Sequence, residues 1–152
     1  MATILYPTRG GKESHSNQDF AINLAKEQDA DLLFLYVSGI SFITRAGPPI
    51  IVDIEKEMDE VGDFLLSMAQ ERAEKAGARA NVAIRHGNFS DVLKEIIVEK
   101  EVNTVILGSS PKEDTSTVSF EHLQELSKGM SKELDVEFIL VRDGEVVFQT
   151  GA

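Results

Sequence analysis

Between Gly108 and Phe120 the chain carries Ser109, Ser110, Thr115, Ser116, Thr117 and Ser119, with Lys112 among them. Hydroxyls beside a cation are groups that hold phosphate or carboxylate. Arg9, just after the first apolar run, adds a guanidinium able to grip such an anion through two parallel hydrogen bonds. The preceding Val105-Ile106-Leu107-Gly108 has the form of a buried strand delivering a phosphate loop, but the further glycines such a loop uses do not follow. Two readings therefore compete. One is a modified anion site centred on Arg9 and Ser109; the other is a solvated polar connection.

Other chemistry is easier to set aside. "RGGKES" fails the phosphate-loop pattern, because Glu13 follows Lys12 where Ser or Thr belongs and Tyr6 holds the first glycine position. It reads as a strand-to-helix turn. A hydrolase would need a base and an orienting acid beside Ser109 or Ser110, and no nucleophile-elbow sequence occurs. His15, His86 and His122 all follow strand ends but are not at ligand spacing within one helix, so no metal site is expected. A phosphorylated receiver domain would want acidic residues after the first strand, where this chain has Thr8-Arg9-Gly10. With no cysteine, disulfides, thiolate metal sites and thiol nucleophiles are excluded.

The charge balance narrows the partners. A formal net charge of −11 argues against nucleic acid, whose binders need a basic footprint, and against an anionic membrane surface. The longest apolar run, Leu32 to Val37, is far short of the about 20 residues of a membrane span. "MATILYPTRG" shows no signal-peptide pattern. The expectation is a cytoplasmic chain forming a single domain over 1–152.

The elements that must position these residues alternate along the chain. Ile4–Tyr6, Leu32–Val37, Val82–Ile84, Val105–Leu107 and Phe138–Val141 are continuous apolar runs, which suit strands covered on both faces. Helical patterns lie between them. Ser16-Asn17-Gln18-Asp19 reads as a capping box ahead of Phe20, Leu24 and Ala25. The second helix, about Asp53 to Ala76, opens with acidic residues, where the macrodipole favours them, and Gly77 stops it. A third carries Val92, Leu93, Ile96 and Ile97; a fourth carries Phe120, Leu123, Leu126, Met130 and Leu134. The class is α/β: a doubly wound, mainly parallel five-stranded sheet with helices on both faces.

Two segments depart from that regularity. The stretch after the second strand, residues 38–52, is long for a strand-to-helix loop and carries Phe42, Ile43 and Pro48-Pro49. It either caps the core or a partner subunit, or forms a lid over a ligand. At the other end, Asp143-Gly144 is a strong two-residue hairpin signal. Pairing outward sets Arg142 opposite Glu145, Val141 opposite Val146 and Ile139 opposite Phe148. An antiparallel strand at 145–149 then extends the sheet edge or pairs with another chain.

In this order and spacing the chain resembles the universal stress protein family. "TILYPTRGGKESHSNQDFAINLAKEQDADLLFLYV" is similar to the family's opening strand, helix and second strand. "VAIRHGNFSDVLKEIIVEKEVNTVILGSS" matches its third strand with following glycine, helix and fourth strand, and "VEFILVRDG" its terminal strand. The resemblance implies strand order 3-2-1-4-5, with the extra antiparallel strand beyond it. It also implies a homodimer through the last strands, here Phe138–Val141 and Glu145–Gln149. Some members bind ATP in the crevice at the carboxyl ends of the first and fourth strands, where the winding reverses.

On that basis the candidate crevice comprises Pro7, Thr8, Arg9, Val37, Gly87, Gly108, Ser109, Ser110 and Ser119. ATP-binding members carry glycine, two residues, glycine, nine residues, then glycine with Ser or Thr. Gly108 matches the first glycine; Pro111, which has no amide proton, takes the second place, and Glu121-His122 the third pair. Arg9 stands where the family's aspartate helps to hold the nucleoside. The resemblance thus implies a stress-response protein that is not an enzyme, with no standard ATP site and no cofactor. The alternative is a divergent member holding ATP or AMP on Arg9 and the hydroxyl loop, with slow hydrolysis.

Overall fold

The computed structural model describes residues 2–8, 13–38, 48–108 and 120–150. Its elements run β1 (Thr3–Pro7), α1 (Glu13–Gln28), β2 (Asp31–Ser38), α2 (Pro48–Lys75) and β3 (Arg79–His86). They continue as α3 (Phe89–Glu99), β4 (Thr104–Gly108), α4 (Phe120–Leu134), β5 (Glu137–Arg142) and β6 (Glu145–Gln149). The strands form one sheet of order β3-β2-β1-β4-β5-β6, parallel except for β5–β6. This is the doubly wound α/β class expected, with the added antiparallel strand in place.

The continuous apolar runs explain the two-sided core. Successive strand residues point to opposite faces. Ile4, Tyr6, Leu32, Phe34 and Ile106 therefore pack with Ala21, Ile22 and Ala25 of α1 and Leu66, Ala69 and Ala73 of α2. Leu5, Leu33, Leu35, Val105 and Leu107 pack instead with Val92, Leu93, Ile96 and Ile97 of α3 and Leu123 and Met130 of α4. The apolar stripes read for the third and fourth helices both lie in this second layer. Among the described residues no helix is long and apolar enough to cross a membrane.

Two helix starts differ from expectation. The first helix begins at Glu13, so Ser16 to Asp19 lie inside it instead of capping it. Their side chains have tertiary uses: Asn17 accepts a hydrogen bond from Gly144, Gln18 donates to Thr8, and Asp19 pairs with Arg72 of α2. The second helix begins at Pro48, with proline in the first turn, where its missing N–H has no intrahelical partner to lose. Its acidic run therefore sits beyond the first turn. That start also shortens the 38–52 loop, of which residues 39–47 lie outside the described residues.

The hairpin register differs at one position. Arg142 faces Glu145 and Val141 faces Val146, as the turn predicts, but Phe148 faces Leu140, and Ile139 faces Gln149. A bulge at Val147 takes up the extra residue. It turns Phe148 onto the α3/α4 layer with its register partner Leu140, instead of onto the other face with Ile139.

Candidate ligand crevice

The sheet topology creates an opening at one place. β1 and β4 are neighbours, but their paired positions are Ile4–Thr104 and Leu5–Val105. Past Leu5, β1 stays in register with β2 as far as Pro7–Leu35, while β4 stays with β5 as far as Gly108–Val141. Each strand is held by its outer neighbour beyond the last shared pair. This is the switch point, where open α/β sheets take ligands.

The chain lines the opening with its own uncharged polar groups. Thr8 is buried and its N–H donates to the Leu35 carbonyl at 2.7 Å. Its Oγ1 accepts from Gln18 Nε2 at 3.3 Å, whereas Gln18 Oε1, also buried, finds no hydrogen-bond partner among the described residues. Asn17 is buried one residue earlier, and its Oδ1 accepts from the Gly144 N–H at 2.9 Å, tying α1 to the β5–β6 turn. A Cβ on Gly108 would lie 2.9 Å from Asn17 Nδ2 and 3.6 Å from the Tyr6 hydroxyl. Gly108 is thus needed here for close approach by the chain's own Asn17. Tyr6 stands edge-on to Phe34, with ring centres 5.9 Å apart, and burial pushes its phenol well above the ordinary range, so it stays neutral.

The remaining sequence-predicted residues fall in separate places. Pro7 ends β1 against Leu35. Val37, half-buried, packs toward the α3/α4 layer, opposite to Tyr6. Gly87 has φ of 130° and donates its N–H to the Ser38 carbonyl at 3.1 Å. The next residue, Asn88, caps α3 by accepting from the Ser90 and Asp91 amides at 2.9 and 3.3 Å. Arg9, Ser109, Ser110 and Ser119 lie outside the described residues, as does Pro111. So Thr8 and Gly108 both stand at the switch point, at the ends of β1 and β4, while Val37 and Gly87 stand beyond β1, at the ends of β2 and β3.

On the far side of the opening, Glu121 and His122 are exposed in the first turn of α4. The Arg142 guanidinium, at the carboxyl end of β5, lies 5.1 Å from the centre of the Phe120 ring. Among the described residues no group of three or more His, Asp or Glu is placed to hold a metal. Among the described residues the buried polar side chains around Thr8, those of Asn17 and Gln18, are uncharged amides, groups suited to hydrogen-bond recognition.

Asn17, Gln18 and Tyr6 were missed as crevice residues by sequence reasoning. The signal was present: Asn17 and Gln18 precede the buried Ala21 and Ile22 by four residues each, on the apolar stripe of α1. Amides on such a stripe are buried, and buried amides need partners.

The comparisons with known proteins agree with this architecture. The universal stress protein family model matches residues 1–122. Universal stress protein YxiE of Bacillus subtilis is 29% identical over 114 residues, covering 70% of this chain and 77% of that protein. A universal stress protein of Methanocaldococcus jannaschii is 26% identical over 110 residues, and this chain spans 65% of its length and 72% of its own. In structure, UspA from Lactobacillus plantarum superposes with a TM-score of 0.74 at 16% identity, covering 93% of this chain and 97% of that one. A universal stress protein in complex with cAMP gives 0.61 at 20% identity and 93% and 97% coverage. An Arabidopsis thaliana member with AMP bound gives 0.59 at 13% identity and 93% and 90% coverage. On the match over residues 1–122, and with the six-stranded sheet that carries the switch point, the chain belongs to the universal stress protein family.

Proposed function

We propose that the protein is a non-catalytic binding and regulatory protein of the stress response, cytoplasmic, dimeric through its C-terminal strands, and without the standard ATP site. The observation that carries this reading is Glu121. Its exposed carboxylate stands in the first turn of α4, where backbone amides would otherwise meet phosphate. Two further features support it. Pro111 has no amide proton to offer at the second glycine position. Asn17 occupies the space beside Gly108 that a ligand's close approach would use.

A second reading rests on one specific observation. Gln18 Oε1 is buried without a partner among the described residues, and such an acceptor is costly, by roughly 1–3 kcal/mol. The atom is buried, so an adenine amino group would reach it only if the crevice widened between Thr8 and α1, and the related structures holding cAMP and AMP make ATP or AMP the ligands to try. Thermal shift and calorimetry with ATP, ADP, AMP and cAMP separate the readings. A single-site ligand at 100 times its Kd stabilises the native state by about 2.7 kcal/mol. No shift is expected with any of the four. A shift with ATP or AMP that disappears in Arg9→Ala or Gln18→Ala would replace the first reading with the second.

A further inference from the structure

α2 carries more apolar surface than its packing on the sheet uses. Leu66, Ala69 and Ala73 are buried against β2 and β3, and Gly62 meets the Tyr36 ring. One step around the helix, Val61 is 52% exposed, Phe64 65% and Met68 43%. Single exposed apolar residues are ordinary on soluble proteins. Val98, on α3, is one of these. The α2 residues differ because their spacing of three and seven puts them in one row, about 10 Å long at 1.5 Å per residue.

The charge around the row is one-sided. From Asp59 to Glu71 the helix carries Asp59, Glu60, Asp63 and Glu71 and not one lysine or arginine. Toward the C-terminus the next cations are committed within the chain, Arg72 to Asp19 and Lys75 to Glu71; toward the N-terminus Lys56 stands in sequence among Asp53, Glu55, Glu57 and Asp59, so that end carries net negative charge as well. Among the described residues no cation pairs with Glu60 or Asp63. A second copy of this chain would bring those carboxylates against their own kind, and an anionic lipid surface would meet the same repulsion.

We propose that the outward row Val61, Phe64 and Met68 of α2 is a docking surface for a cationic amphipathic helix of a partner protein. Such a segment would set apolar residues at i, i+3 or i+4, and i+7 onto the row and its Lys or Arg residues against Glu60 and Asp63. This deepens the partner-contact side of the function proposed above and rests on it. The crevice is not involved, so the nucleotide test and the test of this surface fail or succeed separately.

The probe is a fluorescent Leu/Lys peptide of about 18 residues with that apolar spacing, long enough to become helical on binding. Its anisotropy is followed with the full chain, free of nucleotide. A Leu/Glu peptide of the same apolar pattern serves as control. Phe64→Ser and Met68→Ser are exposed substitutions, and their thermal midpoints verify that they fold. We expect a Kd of about 1–100 μM for the Leu/Lys peptide, weakened about tenfold by either substitution and further by salt, with the Leu/Glu peptide unbound. Absence of Leu/Lys binding, equal binding of both peptides, or binding indifferent to Phe64→Ser and Met68→Ser would overturn the proposal. So would self-association of the wild type that Phe64→Ser abolishes, since a second copy would then cover the row.

Discussion

At the scale of single residues, the switch point is governed by a steric pair. Gly108 lacks a side chain, and the space it leaves holds the Asn17 amide, which in turn accepts the Gly144 N–H. Gly108→Ala should therefore cost about 1–3 kcal/mol, because the new methyl displaces Asn17 and strands a buried amide. Asn17→Ala alone should cost a similar amount. The two are coupled: with Asn17 shortened, the alanine at position 108 has room, and the double variant should lose about 1 kcal/mol less than the sum. Urea unfolding of the four proteins measures this cycle, and strict additivity would show that Asn17 does not fill that space. Little of the pair was legible in advance. Gly108 is legible as a strand-ending glycine, but its partner Asn17 sits inside a helix that starts at Glu13, where the Ser16–Asp19 pattern suggests a cap.

At the scale of elements, most of the fold could be read because a covered parallel strand needs apolar residues on both faces, and five such runs stand between helical patterns. Boundaries were less legible where tertiary partners decide them. α2 starts at Pro48, ahead of its acidic run, and the bulge at Val147 depends on which layer receives Phe148. Helix glycines show the same dependence. A mid-helix glycine costs about 1 kcal/mol relative to alanine, so Gly→Ala normally stabilises. At Gly129 of α4 a Cβ would meet nothing within 4 Å, and Gly129→Ala should raise stability by about 1 kcal/mol. At Gly62 of α2 a Cβ would stand 2.6 Å from Tyr36 Cδ1, close to the base of the ring, where a rotation gives little relief. Gly62→Ala should lower stability by about 1 kcal/mol or more, overpacking outweighing the propensity gain. Thermal midpoints of the two variants should move in opposite directions; a rise in both would show that α2 rides more loosely on Tyr36.

At the scale of the whole molecule, net charge and edges act against each other. β6 ends the sheet, and Val146 and Val147 are exposed beside its outer backbone groups. The proposed dimer adds a second sheet at this edge, and it must do so between two chains that each carry a formal charge of −11. The suitable probes are Val146→Lys and Val147→Lys. Phe148 is the wrong one: it packs on the α3/α4 layer with the Lys128 ammonium 5.8 Å from its ring, so its replacement would disturb the monomer. Sedimentation should show the dimer weakened about tenfold or more by Val146→Lys with Val147→Lys, at unchanged thermal midpoint. Salt gives the complementary sign. Raising ionic strength from 0.01 to 0.15 M shortens the screening length from about 30 to about 8 Å, which relieves repulsion between like-charged protomers and should tighten the dimer. The same change should loosen a cationic helix on α2, where attraction is screened instead. A dimer that weakens with salt, or one indifferent to both lysines, would move the self-association surface away from β6.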